Sequence, residues 1–185
     1  TTVKRISANI FGEKTPTKVL MHSLWTHAAI GQYSDLQEMD ITTGMINSKD
    51  PVLQIWAIRT INSHRMRNYD GNIWGLVQRG NRDVLLHAAV AGPRLNNDTP
   101  MAVLFDILKN CGDDKLIPHI VWQNLHPLLE KEGERFLKLA SDPNLDLVKS
   151  PAIAKIIPRA IDRIIGNASG DPAAIFKFVE ELNQK

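Results

Sequence analysis

Four groups of side chains in this sequence have the types that catalysis, metal binding or anion recognition calls for. His119, Trp122 and His126 fall on one side of a helix, at spacings of three and four, and invite a metal or haem reading. The two histidines are about 10.5 Å apart along a helix axis. One metal with nitrogen bonds of about 2.0–2.1 Å does not easily take both. His22 also stands before Trp25 as His119 stands before Trp122, so the pattern reads as a packing rule that recurs along the chain. Cys111, the single cysteine, excludes an internal disulfide, a two-cysteine haem attachment and a zinc knuckle. It closes an apolar stripe just before Gly112 and reads as a buried, inert thiol beside a helix-ending glycine. Asp113 and Asp114 suit acid/base or metal chemistry, but at the start of a helix their charge is accounted for by the dipole. No glycine-rich phosphate loop and no strand–turn–helix nucleophile elbow occurs. The expectation is therefore no catalytic residue, no metal site and no cofactor held by this chain.

The arginines are the group that this reading does not absorb. Arg59, Arg65, Arg67, Arg79, Arg82 and Arg94 face only Asp70 and Asp83 in their stretch, which has no lysine and also carries His64, Tyr69, Trp74 and His87. The flanking segments are balanced or slightly acidic, so the positive excess of a chain with net charge +2 lies here. A guanidinium grips carboxylates and phosphates with two parallel N–H donors where lysine offers a point charge. The stretch reads either as Asp–Arg pairing between repeats or as a docking face for a protein partner of acidic character. Nucleic acid is the alternative partner for such a face. The small net charge argues against it, because that affinity rests on neutralising many phosphates.

The elements that position these residues announce themselves through proline. Its missing N–H suits the first helical position, and a preceding Ser, Thr or Asp caps the first turn. Thr15-Pro16, Asp50-Pro51, Thr99-Pro100, Asp142-Pro143, Ser150-Pro151 and Asp171-Pro172 all have this form. Apolar residues between them recur at helical spacing, as in Met101, Leu104, Phe105, Leu108 and Cys111, and in Ile153, Ile156, Ile157, Ala160, Ile161, Ile164 and Ile165. Strand-type alternation is absent at useful length. The spacing predicts helices near 3–11, 16–30, 35–47, 51–65, 72–79, 82–93, 99–111, 115–131, 133–141, 151–166 and 172–183, with a kink at Pro158. No stretch approaches the roughly 18 apolar residues of a membrane span, and Thr1–Phe11 lacks the features of a signal peptide.

A repeat runs through this map. Leu24-Trp25, Ile55-Trp56, Leu86-His87 and Val121-Trp122 stand at equivalent points, separated by roughly 31 to 35 residues, a period of helical-repeat arrays. The expectation is an all-α chain: one α-solenoid domain over 1–185, of about five stacked antiparallel helix pairs, with the tryptophans in its core.

The pattern resembles HEAT-like repeats, and more narrowly the repeat region of planctomycete-type membrane-bound dehydrogenase and cytochrome c proteins. Val19-Leu20-Met21-His22-Ser23-Leu24-Trp25 is similar to the family's "LHALWAL" helix, and Ser48 to Arg59 (SKDPVLQIWAIR) to its "DPDPRVRAWAVR" repeat start. Asp113 to Leu128 (DDKLIPHIVWQNLHPL) is similar to its "D-x-x-LPxxxWxxLxPL" segment, with Trp, Leu and Pro at matching offsets. In that family a dehydrogenase-like propeller precedes the repeats and a haem-binding domain follows them. The resemblance implies a segment of a longer, exported protein, acting as a non-catalytic linker or protein-interaction module whose partners are adjoining domains or another protein. No Cys-x-x-Cys-His occurs, so the family's redox activity is not implied for these residues.

Overall fold

The computed structural model describes residues 15–30, 35–66, 69–96, 99–166 and 172–183. The helix expected near 3–11 and Arg67 lie outside them. The described residues form helices and no strands: α1 (Thr17–Ile30), α2 (Asp35–Ile46), α3 (Pro51–His64), α4 (Asp70–Gln78), α5 (Arg82–Ala91), a 3₁₀ turn (Gly92–Arg94), α6 (Thr99–Asn110), α7 (Ile117–Ala140), α8 (Pro151–Ile165) and α9 (Pro172–Asn183). The all-helical reading holds, and its boundaries fall close to the expected ones. The chain divides into two compact units, Thr1–Ile73 and Trp74–Lys185, the division falling inside α4.

Helix starts follow the proline logic in most places. Asp50 is the N-cap of α3, its carboxylate accepting the Val52 N–H at 2.9 Å with Pro51 in the first turn. α8 begins at Pro151 behind a buried Ser150, whose side chain makes no capping bond. Asp142-Pro143 departs from the rule. There Asp142 accepts the N–H of Asn144 at 2.9 Å and opens a turn instead of a helix. Gly112, with φ of 62°, takes the left-handed conformation that ends α6, as expected of a glycine in that place.

In the first unit, α3 packs against both α1 and α2. Leu24, Ile41, Met45, Ile46, Leu53, Ile58 and Ile61 are buried there, each contributing on the order of 1.5–3 kcal/mol of hydrophobic stabilisation. In the second unit, α5, α6, α7, α8 and α9 pack on their chain neighbours and also on the helix after next: α5 on α7, α6 on α8, α7 on α9. Its core includes Val84, Leu85, Leu104, Ile107, Val121, Leu125, Phe136, Ile153, Ile157 and Phe178. The stripe of α6 is buried throughout from Met101 to Cys111, whereas α8 leaves Ile165 at its end 60% exposed.

Many contacts between helices join residues about one repeat apart. In the first unit Thr17 donates to Asp50 at 2.7 Å, and the Trp25 and Trp56 rings meet edge-to-face with centroids 5.0 Å apart. In the second, Trp74 and Gln78 both donate to Asp106, at 2.6 and 2.8 Å, and Arg82 pairs with Asp113 at 2.6 Å. The side chains of Asn110 and Asn124 donate to the carbonyls of Val77 and Ala89. Phe105 meets Phe136 edge-to-face at 5.8 Å.

Among the described residues, Pro127 and Pro158 lie inside helices. α8 continues through Pro158 from Pro151 to Ile165. In α7 the break falls at Glu132, with φ of −130° and ψ of 29°, five residues past Pro127. The break falls at the expected boundary between helices 115–131 and 133–141, so α7 is two helical stretches joined across a kink at Glu132. Gly133 follows it, and a Cβ there would lie 2.8 Å from Ile164 Cγ1. Glycine is what lets α8 approach α7 this closely.

Candidate partner-binding faces

The apolar–Trp step places an aromatic ring at the surface, not in the core. Trp25 is 37% exposed, Trp74 is 39% exposed, and Trp56 and Trp122 are half-buried. The expectation that the tryptophans form the core is corrected accordingly. The residue before each ring does the burying at three of these points, Leu24, Ile73 and Val121. A helical period defines a face to within one residue, and an indole at its edge is covered only as far as the next helix reaches.

In the first unit the rings make a row. His22 meets Trp25 edge-on at 5.1 Å, Trp25 meets Trp56, and the Arg59 guanidinium lies over the Trp56 ring, 4.4 Å from its centroid. The three-residue spacing of His22 and Trp25, and of Trp56 and Arg59, stacks each pair one turn apart on its own helix. In the second unit the Arg159 guanidinium of α8 lies 4.1 Å from the Trp122 centroid, and His126 stacks on the same indole at 6.0 Å. Such cation–aromatic contacts contribute on the order of 0.5–1 kcal/mol at exposed sites.

Pro127 accounts for part of the His126 geometry. Lacking an N–H, it leaves the Gln123 carbonyl without its usual helical donor, and His126 Nδ1 lies 3.4 Å from that oxygen. A carbonyl only accepts, so Nδ1 carries the proton in this contact. His119 instead faces Gln123, with Nε2 and Nε2 of the two side chains 3.2 Å apart. The structure thus brings Trp122 and His126 together, while His119 is engaged by the Gln123 side chain instead. Among the described residues, no three His, Cys, Asp or Glu side chains gather as a metal-binding group.

The described arginines of the set divide between the units: Arg59 and Arg65 belong to the first, and Arg79, Arg82 and Arg94 to the second, while Arg67 lies outside the described residues. Arg65 ends α3 in the left-handed region with φ of 51°, its N–H bonded to the Ile61 carbonyl. Arg79 is exposed just past α4, Arg82 opens α5 and is paired with Asp113, and Arg94 lies in the 3₁₀ turn. Arg159 was not among the residues singled out from sequence. Its relation to Trp122 spans 37 positions and two helices, and the repeat period is the one signal that could have suggested it.

The remaining candidates have structural roles. The Cys111 thiol is buried and its pKa is pushed up to about 11, by burial first and then by the Asp114 charge. Asp114 accepts the N–H groups of Leu116 and Ile117, both at 2.8 Å, at the start of α7. Those bonds, the Ile117 one foremost, hold its carboxyl below the usual carboxylate range. A shallow groove of about 410 Å³ lies between the second half of α7 and α9, lined by Glu134, Leu137, Lys138, Ser141, Ala174, Lys177 and Phe178. No described helix is long and apolar enough to cross a membrane.

No protein family, curated protein or solved structure was found to match the chain.

Proposed function

We propose that this chain is a non-catalytic helical-repeat scaffold, its helix pairs stacked in HEAT fashion, which receives a protein partner on its surface. The observation that carries this is the register of the contacts between helices. Thr17–Asp50, Trp25–Trp56, Arg82–Asp113 and Phe105–Phe136 each join residues 31 to 33 positions apart. In a solenoid each repeat touches its neighbours through equivalent positions, so contacts recur at the repeat length. Packing on the helix after next in the second unit supports the same reading. The outward rings with arginines laid on them supply what protein interfaces favour, since Trp and Arg dominate interface hot spots.

The test is a photo-reactive phenylalanine placed at Arg59, at Arg159 or at Lys131, in the protein expressed in its native cells. The scaffold reading expects a discrete cross-linked protein from Arg59 or Arg159 and none from Lys131. Equal, diffuse cross-linking from all three positions would count against it. From the sequence resemblance we further propose that the chain is the linker module of a haem-containing dehydrogenase. A native band well above 20.7 kDa that stains for covalent haem supports that placement, and a band of that size without haem opposes it.

A further inference from the structure

On the first half of α7, Ile117 to Leu129, there is no acidic residue, and on α8 none from Pro151 to Ile161. Trp122 and His126 of the one helix are half-buried, and Lys155 and Arg159 of the other are exposed. The Arg159 guanidinium rests on the indole, and no carboxylate among the described residues pairs with it. One turn further along α8, Arg163 is paired with Glu130. The two arginines share a helix but differ in state: one is neutralised, while the other is held flat by an aromatic ring with its N–H edge unclaimed. Stacking restrains the side chain, so less rotamer freedom is lost when the fork meets a carboxylate.

We propose that this face of α7 and α8, built on Trp122, His126, Lys155 and Arg159, docks an acidic segment of a partner protein, with one carboxylate seated on the edge of the Arg159 guanidinium. The proposal rests on the scaffold reading above and names the partner's chemistry. The surroundings favour a peptide over a nucleic acid. The indole already carries a guanidinium, so the face does not offer the bare ring that a base stacks on. Two free cations are also few against the phosphates a strand presents. Arg59 on Trp56 shows the same pairing in the first unit.

The experiment is a fluorescence-anisotropy titration of the full chain with three labelled probes: a short peptide of repeated Glu-Leu-Glu-Glu units, the same peptide with Gln for Glu, and an oligouridine RNA. The Glu peptide is expected to bind and the Gln peptide not. Arg159→Gln and Arg159→Lys should each weaken binding by about tenfold, because lysine restores charge but not the planar fork, while Arg163→Gln should change it by less than about twofold. Thermal unfolding followed by circular dichroism shows that each variant is folded. The proposal is overturned if the Glu peptide fails to bind, if Arg163→Gln weakens it as much as Arg159→Gln, or if the RNA binds more tightly than the peptide. Discrete cross-linking from Arg59 alongside any of these results would leave the scaffold reading standing without this face.

Discussion

Cys111 and Asp114 are neighbours in space and charge, and each makes a measurable prediction. With its pKa at about 11 against an ordinary 9.0, the Cys111 thiol should react slowly with an aromatic disulfide reagent at neutral pH and speed up as denaturant opens the fold. Rapid stoichiometric reaction of the native chain would contradict its burial. The raised pKa also has a sign in stability: the contribution is complete below pH 9.0 and declines as pH rises toward about 11. Asp114, whose carboxyl is held low, contributes in the opposite sense, above the usual carboxylate range, and that contribution is lost in acid. Asp114→Ala should cost about 1 kcal/mol in a denaturant titration, as for other helix-start caps, and an unchanged midpoint would show that its two backbone bonds carry nothing. Trp122→Ala should cost less than the about 3–5 kcal/mol of truncating a fully buried aromatic. A loss in that full range would mean that the indole is more enclosed than its half-buried position indicates.

At the scale of elements, Gly133 is the most exposed to substitution. Alanine is the better helix former by about 1 kcal/mol. The added methyl, though, meets Ile164 Cγ1 at 2.8 Å and Cγ2 at 3.0 Å, close to a branched and buried side chain with little room to yield. Gly133→Ala should therefore destabilise the chain by about 1–3 kcal/mol, the usual range for overpacking, and a stabilised variant in thermal unfolding would contradict the close approach of α7 and α8. The helices themselves were legible in the sequence because proline starts and apolar spacing are local signals: Asp50-Pro51 and the stripes of α6 and α8 needed no knowledge of the fold. Asp142-Pro143 misled for the same reason. A capping residue before proline suits a turn as well as a helix, and Asp142 serves its own neighbour, Asn144. The break at Glu132 was legible too, falling between the helices expected at 115–131 and 133–141. The tryptophans were the larger miss, since burial of Trp25 or Trp122 depends on where another helix passes, which periodicity does not encode. Arg159 lay beyond reach of local reading for that reason too.

For the molecule as a whole, the candidate arginine set was legible as composition but not as geometry. The five described arginines of the set belong to two units, while the Arg–Trp contacts among the described residues involve one of them, Arg59, and one residue outside the set, Arg159. Within each unit, contacts between helices return at 31 to 33 positions, the register on which the proposed repeat scaffold rests. A repeat array and a bundle differ in how damage spreads: in an array stability is a sum of nearest-neighbour terms, whereas a small bundle opens as one unit. The direct measurement is native-state hydrogen exchange of the full chain carrying Phe178→Ala, which empties a fully covered position in α9. Stacked repeats predict lost protection in α9 and in α7 and α8, the helices it packs on, with α5 keeping its protection. Equal loss of protection across the whole of Trp74–Lys185 would show one cooperative bundle and contradict the repeat scaffold.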